Sequence, residues 1–194
     1  MKYVPKVVFT SLVLVSLTAC GSVKESKSNN LQLDVPSISN GFKSQYLNAI
    51  NNARSISQNC GSYGSFSAAP LLKWSDKLYG AAYEHSNDMA TTNTFSHNGS
   101  GQESDKVGRL NGNKSTAGER INAYGYRWVL YAENIGAGTD IDTADKIVNQ
   151  LLASDGHCAN IMNPRLTEVG MAMVKNSNTK YVHYWTQDFG THPN

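Results

Sequence analysis

Apolar residues recur at helical spacing in four stretches of the chain, and each stretch predicts an amphipathic helix. The first covers residues 42–57, and the second begins after Ser75, a residue that suits the N-cap position. Thr116 and Glu119 have the spacing of a capping box, which predicts a third helix that ends near Gly125. The fourth covers residues 143–152. The apolar stripes of the first two helices are Phe42, Tyr46, Ile50 and Ala53, then Leu78, Ala81, Ala82, His85 and Met89.

Strand-like patterns lie mainly in the second half of the chain. Residues 168–175 and 180–189 flank the polar run 176–179, and together they predict a β-hairpin. Residues 128–136 are β-prone before they become glycine-rich. Helices stand before and after these few strands, without an alternation of strand, helix and strand. The pattern therefore predicts an α+β domain built in layers.

The first forty residues differ in composition from the rest. A short basic start precedes an apolar run at 7–17, which is too short to span a membrane as a stable helix and is typical of a secretory signal. The sequence Leu-Thr-Ala-Cys-Gly at 17–21 resembles the bacterial lipobox, which implies cleavage before Cys20 and its acylation. The alternative is an ordinary signal peptide with an incidental cysteine. We predict a lipoprotein signal peptide at 1–19, an acylated Cys20 with a flexible Ser/Asn-rich tether at 20–40, and a globular domain at 41–194.

Charge limits the partners that the protein is expected to bind, and cysteine content limits how its cysteines are expected to pair. The chain has 17 basic and 15 acidic residues, and two of the basic ones, Lys2 and Lys6, fall in the predicted signal. No basic stripe or charge block is present, so we expect no nucleic-acid partner. With Cys20 assigned to the lipid, Cys60 and Cys158 remain of the three cysteines. In an exported protein they predict one disulfide, and the alternative is two free buried thiols.

Two histidines stand at positions that favour a functional role. His157 follows the fourth predicted helix and Gly156, and Pro164 then forbids helix continuation, so we place it at an element boundary that faces a cleft. The alternative is a histidine that caps the end of that helix. His97 lies between an aromatic residue and a Gly-rich turn, from which it can project into a cavity. The alternative interpretation of His97 is a solvent-exposed loop histidine.

One acidic residue stands out because it lies inside an apolar sequence. A buried carboxylate is costly unless it is paired or bound to metal, so Glu133 is the acid most suited to a function. The alternative is a carboxylate that accepts backbone N–H bonds in a loop. Other candidates have structural interpretations: Glu119 in the capping box, and His85 and His183 among apolar neighbours. Ser96 beside His97 is only a sequence neighbour, and no nucleophile constellation appears.

These pieces resemble, in order, the motifs of the CAP superfamily, which includes cysteine-rich secretory proteins, antigen 5 and pathogenesis-related-1 proteins and is also called SCP-like. The resemblance runs from about Tyr46 to Gly190 and is closest in style to bacterial members. It rests on seven segments: 47–54, 72–78 with 82–90, 95–97, 120–126, 132–135, 156–162 with 169–170, and 184–190.

The resemblance implies a three-layer α-β-α sandwich with a central cavity. His97 and His157 match the two cavity histidines of the family, and Glu133 matches a cavity glutamate. A second glutamate, found in many eukaryotic members, is missing because residues 146–153 contain no acid. Three further positions depart from the family pattern: Leu151, Asp155 and Cys158.

Two imidazoles and one carboxylate would suit a divalent metal such as zinc, held by His97, His157 and Glu133 with an open position for water. The alternative is a hydrogen-bonded cluster without metal. We expect a membrane-anchored binding module of the cell envelope rather than an enzyme, displayed on the outer membrane if the cell has one. Its partners would be lipid, a small apolar ligand, or an envelope or host protein. The alternatives are a metal-dependent hydrolase of peptidase type and a structural envelope protein with a vestigial cavity.

Overall fold

A computed structural model describes residues 35–193, all of which belong to one compact unit. The elements follow in this order: α1 Asn40–Arg54, β1 Gln58–Asn59, a 3-10 turn at Gly61–Tyr63, β2 Ser65–Phe66, β3 Lys73–Trp74, α2 Asp76–Thr92, α3 Lys106–Asn111, α4 Ala117–Ala123, β4 Leu130–Gly138, α5 Ala144–Leu152, α6 Asp155–Met162, β5 Glu168–Lys175 and β6 His183–Thr191.

A mixed sheet of four strands forms the middle layer, in the order β3-β5-β6-β4. Strands β5 and β6 form the predicted hairpin, β4 pairs antiparallel with β6, and the short β3 runs parallel to β5. Strands β1 and β2 form a separate small sheet. Among residues 35–193 one edge of β4 therefore has no strand partner, and the register of β4 places Glu133 directly opposite Asp188 of β6.

Helices cover both faces of this sheet because its strands alternate their side chains between two apolar cores. Trp185 and Phe189 of β6 pack with α1, α5 and α6, whereas Tyr184 packs with residues of α2 on the opposite face. Helix α2 lies so close to β5 that a Cβ atom at Gly170 would overlap the α2 backbone at Tyr79. The predicted α+β sandwich of three layers is confirmed.

The predicted helix starts are confirmed by their caps. The hydroxyl groups of Ser75 and Thr143 accept hydrogen bonds from backbone N–H groups three residues on, at the starts of α2 and α5. Thr116 and Glu119 form the complete capping box of α4. Helix α1 begins two residues before the predicted start, because Ser39 already caps it, and it ends at Arg54 rather than at residue 57.

Two short helices were not predicted, and one of them corrects the interpretation of His157. Helix α5 ends at Leu152, and Ser154 has extended backbone angles that separate it from α6. Gly156 and His157 lie in the first turn of α6 rather than at a turn after α5. The alternative that His157 caps the end of the fourth predicted helix is therefore wrong. Helix α3, Lys106–Asn111, lies in a stretch for which the sequence analysis predicted no element.

Two buried connections hold α6 against the end of α1. The predicted disulfide between Cys60 and Cys158 is confirmed, with the two Cα atoms 5.3 Å apart. The fully buried Arg54 donates hydrogen bonds to four backbone carbonyl groups, one before β3 and three at and after the end of α6. Its Nε lies 2.8 Å from the oxygen of Pro70, its Nη1 lies 2.5 Å from that of Ile161, and the others are at Asn163 and Leu166.

The predicted signal peptide, Cys20 and most of the predicted tether lie outside the described residues. The last part of that tether packs against the domain: Ile38 contacts the core, and Tyr79 donates a hydrogen bond of 3.1 Å to the Pro36 carbonyl oxygen. Within residues 35–193 no helix combines the length and the apolar content that crossing a membrane requires.

Candidate functional site

The two predicted histidines come from opposite helical layers. His97 follows α2, and its carbonyl group bonds to Arg120 of α4 on one side of the sheet. His157 belongs to α6 on the other side, where its carbonyl oxygen accepts a hydrogen bond of 3.2 Å from Asn134 of β4. Both layers thus meet β4, the edge strand of the sheet, at two consecutive residues, Glu133 and Asn134. The edge of β4 is what brings the predicted residues together.

Glu133 forms the buried centre of this site. Its side chain is only 3% exposed, and it accepts hydrogen bonds at both oxygens: from His97 Nδ1 to Oε1 at 2.8 Å and from Arg120 Nη2 to Oε2 at 2.6 Å. Burial opposes its ionisation, but the Arg120 charge and the two hydrogen bonds outweigh burial and hold the pKa of Glu133 well below its usual range. Glu133 is thus a buried carboxylate of β4 paired with two side chains, not a loop carboxylate on backbone N–H groups, and its functional role stays a prediction.

Arg120 is the site residue that the sequence did not reveal. It is fully buried on the inner side of α4, and the same Nη2 that bonds Glu133 also donates to the His97 carbonyl oxygen at 3.0 Å. Its Nη1 donates to the backbone and side chain of Ser115, just before the helix. One guanidinium group therefore fixes the acid, the backbone of the histidine loop and the start of α4. Its signals in the sequence were its place beside Ile121 on a short helix and its position in the 120–126 segment of the family resemblance.

His97 combines exposure with a fixed orientation. Its side chain is 55% exposed, as the alternative of a loop histidine predicted, yet Nδ1 is held by a carboxylate that is almost completely buried. Because an ionised carboxylate only accepts, Nδ1 must carry the hydrogen. The neutral ring then leaves Nε2 with a free lone pair. The ring is presented to its surroundings in one orientation and one tautomer.

The loop that carries His97 is tied to α2 and α3 by two buried acids. Asp88 of α2 accepts hydrogen bonds of 2.6 Å from the hydroxyl groups of Ser100 and Ser104. Asp105 accepts from the backbone N–H groups of Gly101 in the loop, Gly108 in α3 and Ser115 before α4. Next to His97, the carbonyl oxygen of Ser96 accepts a hydrogen bond from His85 Nε2. These contacts explain how a polar, Gly-rich segment holds a fixed shape.

His157 is half-buried and is positioned through the backbone. A chain of amide groups supports it: Asn160 donates to the Asn134 side chain at 2.8 Å, and Asn134 donates to the carbonyl oxygen of His157. Burial lowers the pKa of His157, and the charge of His97 lowers it further. The two imidazoles are therefore close enough to sense each other's charge.

The residues present fit a divalent metal only in part. Arg120 places one cation 2.6 Å from Glu133, which opposes a second cation at the same carboxylate. The free Nε2 of His97 and the ring of His157 are the donors that suit a metal, and Glu133 would orient His97 rather than ligate. Among residues 35–193 no group of three His, Cys, Asp or Glu side chains is arranged to hold a metal ion. Metal binding by His97, His157 and Glu133 stays a prediction.

The grooves found in the described residues lie away from the two histidines. One of about 320 Å³ lies between α1, α2 and β5 and is lined by apolar and aromatic side chains that include Ile38, Phe42, Tyr46, Tyr79 and Met173. Another, of about 430 Å³, lies between α1 and α5 and is lined mainly by polar side chains. The central cavity that the family resemblance implies stays a prediction.

The residues with structural interpretations have the predicted roles. His85 is fully buried in α2, and His183 is buried in β6, where its Nδ1 bonds to the Thr139 carbonyl oxygen at 3.1 Å. Glu119 completes its capping box and does not reach the site. Asp188 stands opposite Glu133 on β6 and is a further buried acid that the sequence analysis did not single out.

A layered α-β-α domain with two histidines and a glutamate at one sheet edge has the architecture that the sequence motifs imply. The family model described as "CAP: Cysteine-rich secretory protein family" matches residues 47–189 of the chain. The protein therefore belongs to the CAP family. No curated protein sequence matches it.

Solved structures agree on the fold. The chain is similar to an extracellular protein containing an SCP domain from Bacillus anthracis, with 24% identity and a TM-score of 0.52 over 80% of this chain. It spans 44% of that longer protein. It is also similar to an outer surface protein from Borrelia burgdorferi, with 21% identity and a TM-score of 0.51, covering 64% of this chain and 80% of the other. At these identities the comparisons show the fold alone.

Proposed function

We propose that this CAP-domain protein is an exported, lipid-anchored binding module of the cell envelope, and that His97, Glu133 and His157 form its recognition site. The two structural relatives, an extracellular protein and an outer surface protein, support a location outside the cytoplasm. The disulfide between two buried cysteines supports the same location, because such bonds persist in oxidising compartments.

The observation that carries the proposal is the orientation of an exposed histidine by a buried ion pair. Taking Glu133 and Arg120 out of water costs several kcal/mol for each ion before their attraction and hydrogen bonds repay it. A hydrophobic pair of similar volume would stabilise the fold as well or better. Here the pair holds His97, whose ring is more than half exposed. Preorganisation of an exposed polar group is typical of a recognition site, since it lowers the entropy lost on binding.

Unbiased ligand capture tests the recognition site. The purified wild-type protein and a variant with His97→Ala and His157→Ala would be incubated with envelope lipids, peptidoglycan fragments and an envelope protein extract, and retained material would be identified by mass spectrometry. We expect the wild type to retain a ligand that the variant loses. His192→Ala removes an exposed histidine elsewhere and is the matched control, which should bind as the wild type does. Equal retention by all three proteins would contradict the proposed site.

The aromatic groove beside α1 is the second place where a ligand would bind, and it suits an acyl chain or another small apolar molecule. Phe42 lies on its wall with about half of its surface exposed, and Tyr46 and Tyr79 line the same groove. Apolar grooves with a few polar groups are the usual form of such sites. Phe42→Ser should reduce retention of apolar ligands, whereas Ile56→Ser, at an exposed apolar residue outside the groove, should not.

Lipid anchoring through Cys20 belongs to the same proposal. Two or more acyl chains give stable membrane attachment, because each buried methylene contributes about 0.8 kcal/mol. Fractionation of cells that express the wild type and Cys20→Ser tests it. We expect the wild type in the membrane fraction and the variant released. Membrane retention of Cys20→Ser, or release of the wild type, would contradict acylation at this residue.

The second candidate function is a metal-dependent hydrolase. The observation that favours it is the bond from His97 Nδ1 to Glu133, which leaves Nε2 free in the manner of many metal-binding histidines. A zinc ion bound there would supply Lewis-acid chemistry, and Glu133 would keep His97 in the ligating tautomer. Calorimetric titration with zinc distinguishes the candidates: equal heats for the wild type and His97→Ala/His157→Ala would exclude a metal site at these residues. If neither metal nor ligand binds, the third alternative of a structural envelope protein remains.

A further inference from the structure

Aromatic rings form a continuous row on the side of the domain where the described chain enters it. The row runs from α1 past β3 to α2, and the centroids of neighbouring rings lie 5.8 to 6.3 Å apart. Its members in order are Phe42, Tyr46, Trp74, Tyr79 and Tyr83. Phe42 is 54% exposed, and Trp74 donates from Nε1 to the exposed Asp76 at 2.9 Å. Rings with an apolar body and a wet polar end are typical of the boundary between lipid and water.

Two grooves adjoin each other on this side of the domain. One is the aromatic groove beside α1, and the other has a volume of about 310 Å³; Ser37, Ile38 and Tyr79 line both. The charged residues that line them are Lys43 and Asp76, which pair with each other at 2.7 Å. The surface therefore offers apolar contacts with little net charge.

The segment that enters the domain between these grooves is held in place by several contacts. Val35 and Ile38 pack against the core cluster that contains Tyr79, and Tyr79 donates a hydrogen bond to the Pro36 carbonyl oxygen at 3.1 Å. Ser39 then caps α1. The point at which the preceding residues join the domain is therefore the rim of the grooves.

The chain between this rim and the proposed lipid anchor is short. Residues 21–34 separate Cys20 from Val35. A flexible tether of that length has a root-mean-square span of about 20 Å and reaches at most about 50 Å. Because the tether holds the rim near the bilayer at a high effective concentration, modest contacts are enough to keep it there.

We propose that this side of the domain docks on the membrane that holds Cys20, with Phe42 inserted among the acyl chains and the rim of the grooves at the level of the headgroups. The inference rests on the proposed lipid anchor and deepens the proposal for the aromatic groove, because it names the bilayer as the source of the acyl chain. His97 and His157 line neither groove, so docking does not occupy the proposed recognition site.

Quenching of tryptophan fluorescence by brominated lipids tests the docked side, because bromine in the acyl chains quenches only rings that reach the lipid. The acylated full chain would be reconstituted into vesicles of phosphatidylethanolamine and phosphatidylglycerol, with and without phospholipid brominated near the headgroup end of its acyl chains. Trp74 is the reporter, since it stacks on Tyr46 of the aromatic groove, whereas Trp185 is 1% exposed. We expect the wild type to lose fluorescence and Trp74→Phe to lose none. The loss should persist at high salt, which screens charges but leaves apolar contacts in place.

Phe42→Ser should reduce the quenching, whereas Ile56→Ser, at an exposed apolar residue outside the grooves, should leave it unchanged. Equal quenching in Phe42→Ser and the wild type, or quenching that persists in Trp74→Phe, would overturn the proposal. Membrane-bound wild type without any quenching would overturn it as well and leave the anchor intact, whereas wild type recovered in the soluble fraction would overturn both. Binding of soluble decanoate in the aromatic groove, without quenching by the bilayer, would overturn docking in favour of a free apolar ligand.

Discussion

Arg120→Met is the sharpest perturbation of the site, because methionine keeps part of the length and apolar volume of arginine but removes its charge and donors. The substitution leaves Glu133, whose side chain is 3% exposed, without a cation, and it frees the His97 carbonyl group. Removal of one partner from a buried ion pair costs about 3–5 kcal/mol. We therefore expect the unfolding equilibrium constant of the variant to rise by roughly 10²- to 10⁴-fold at neutral pH.

The stability lost in Arg120→Met should depend on pH in one direction. In the wild type the folded pKa of Glu133 is depressed, so its ionisation stabilises the fold above the unfolded pKa of about 4.3 and this contribution disappears as the pH falls through the folded value. Arg120→Met removes most of the interaction that depresses this pKa. The difference in stability between wild type and variant should therefore be largest near pH 7 and narrow below about pH 4.

Urea denaturation at several pH values measures both effects, provided that the m-value is unchanged. Arg109→Met is the matched control: its side chain is 55% exposed, and its ion pair with Glu103 spans 3.7 Å at the surface. That control should cost less than about 1 kcal/mol. A double-mutant cycle with Glu133→Gln should show strong coupling. A cost for Arg120→Met no larger than that of Arg109→Met, or strictly additive effects with Glu133→Gln, would refute the reasoning.

Three further predictions concern the disulfide, His157 and Gly170. Replacing Cys60 and Cys158 by serine should lower the free energy of unfolding by about 4–5 kcal/mol in the chain-entropy model, because the bridge closes a loop with a sequence separation of 98. Thermal unfolding of the variant, and of the wild type with its disulfide intact and reduced, measures this change. His157 should titrate below its ordinary pKa in NMR, and His97→Gln should raise that pKa by removing a neighbouring charge while burial persists. Gly170→Ala should destabilise strongly or prevent folding, as seen by calorimetry, because its methyl group would overlap the backbone of α2.

The amphipathic elements of the fold could be predicted because their burial repeats along the chain. The stripe at Tyr46 and Ile50 packs into the core as predicted, and the capping signals at Ser75 and Thr116 mark the true helix starts. Helices α3 and α6 escaped prediction because contacts distant in sequence stabilise them. In α3 the Val107 N–H group donates to Glu84 of α2, 23 residues earlier in the chain, and in α6 Cys158 is joined covalently to Cys60, which follows β1.

The site was predictable only in part, for a related physical reason. An ordered set of motifs located His97, Glu133 and His157, but a buried charge acquires its partner through the tertiary fold. Arg120 lies on a short helix whose apolar face was visible, yet nothing in its spacing indicated a guanidinium aimed at Glu133. Asp188 became visible as a neighbour of Glu133 only through the strand register. Local patterns reveal which residues are buried and do not reveal which buried residues meet.

The bridge between Cys60 and Cys158 also defines how mechanical load would travel through the molecule. If a ligand held at His157 is pulled away while the N-terminal end of the chain is fixed, tension passes through α1, crosses the disulfide and reaches His157 one residue away. The residues between the two cysteines, which include His97 and Glu133, lie outside that covalent path. The sheet edge would then carry none of the stretching force along its backbone.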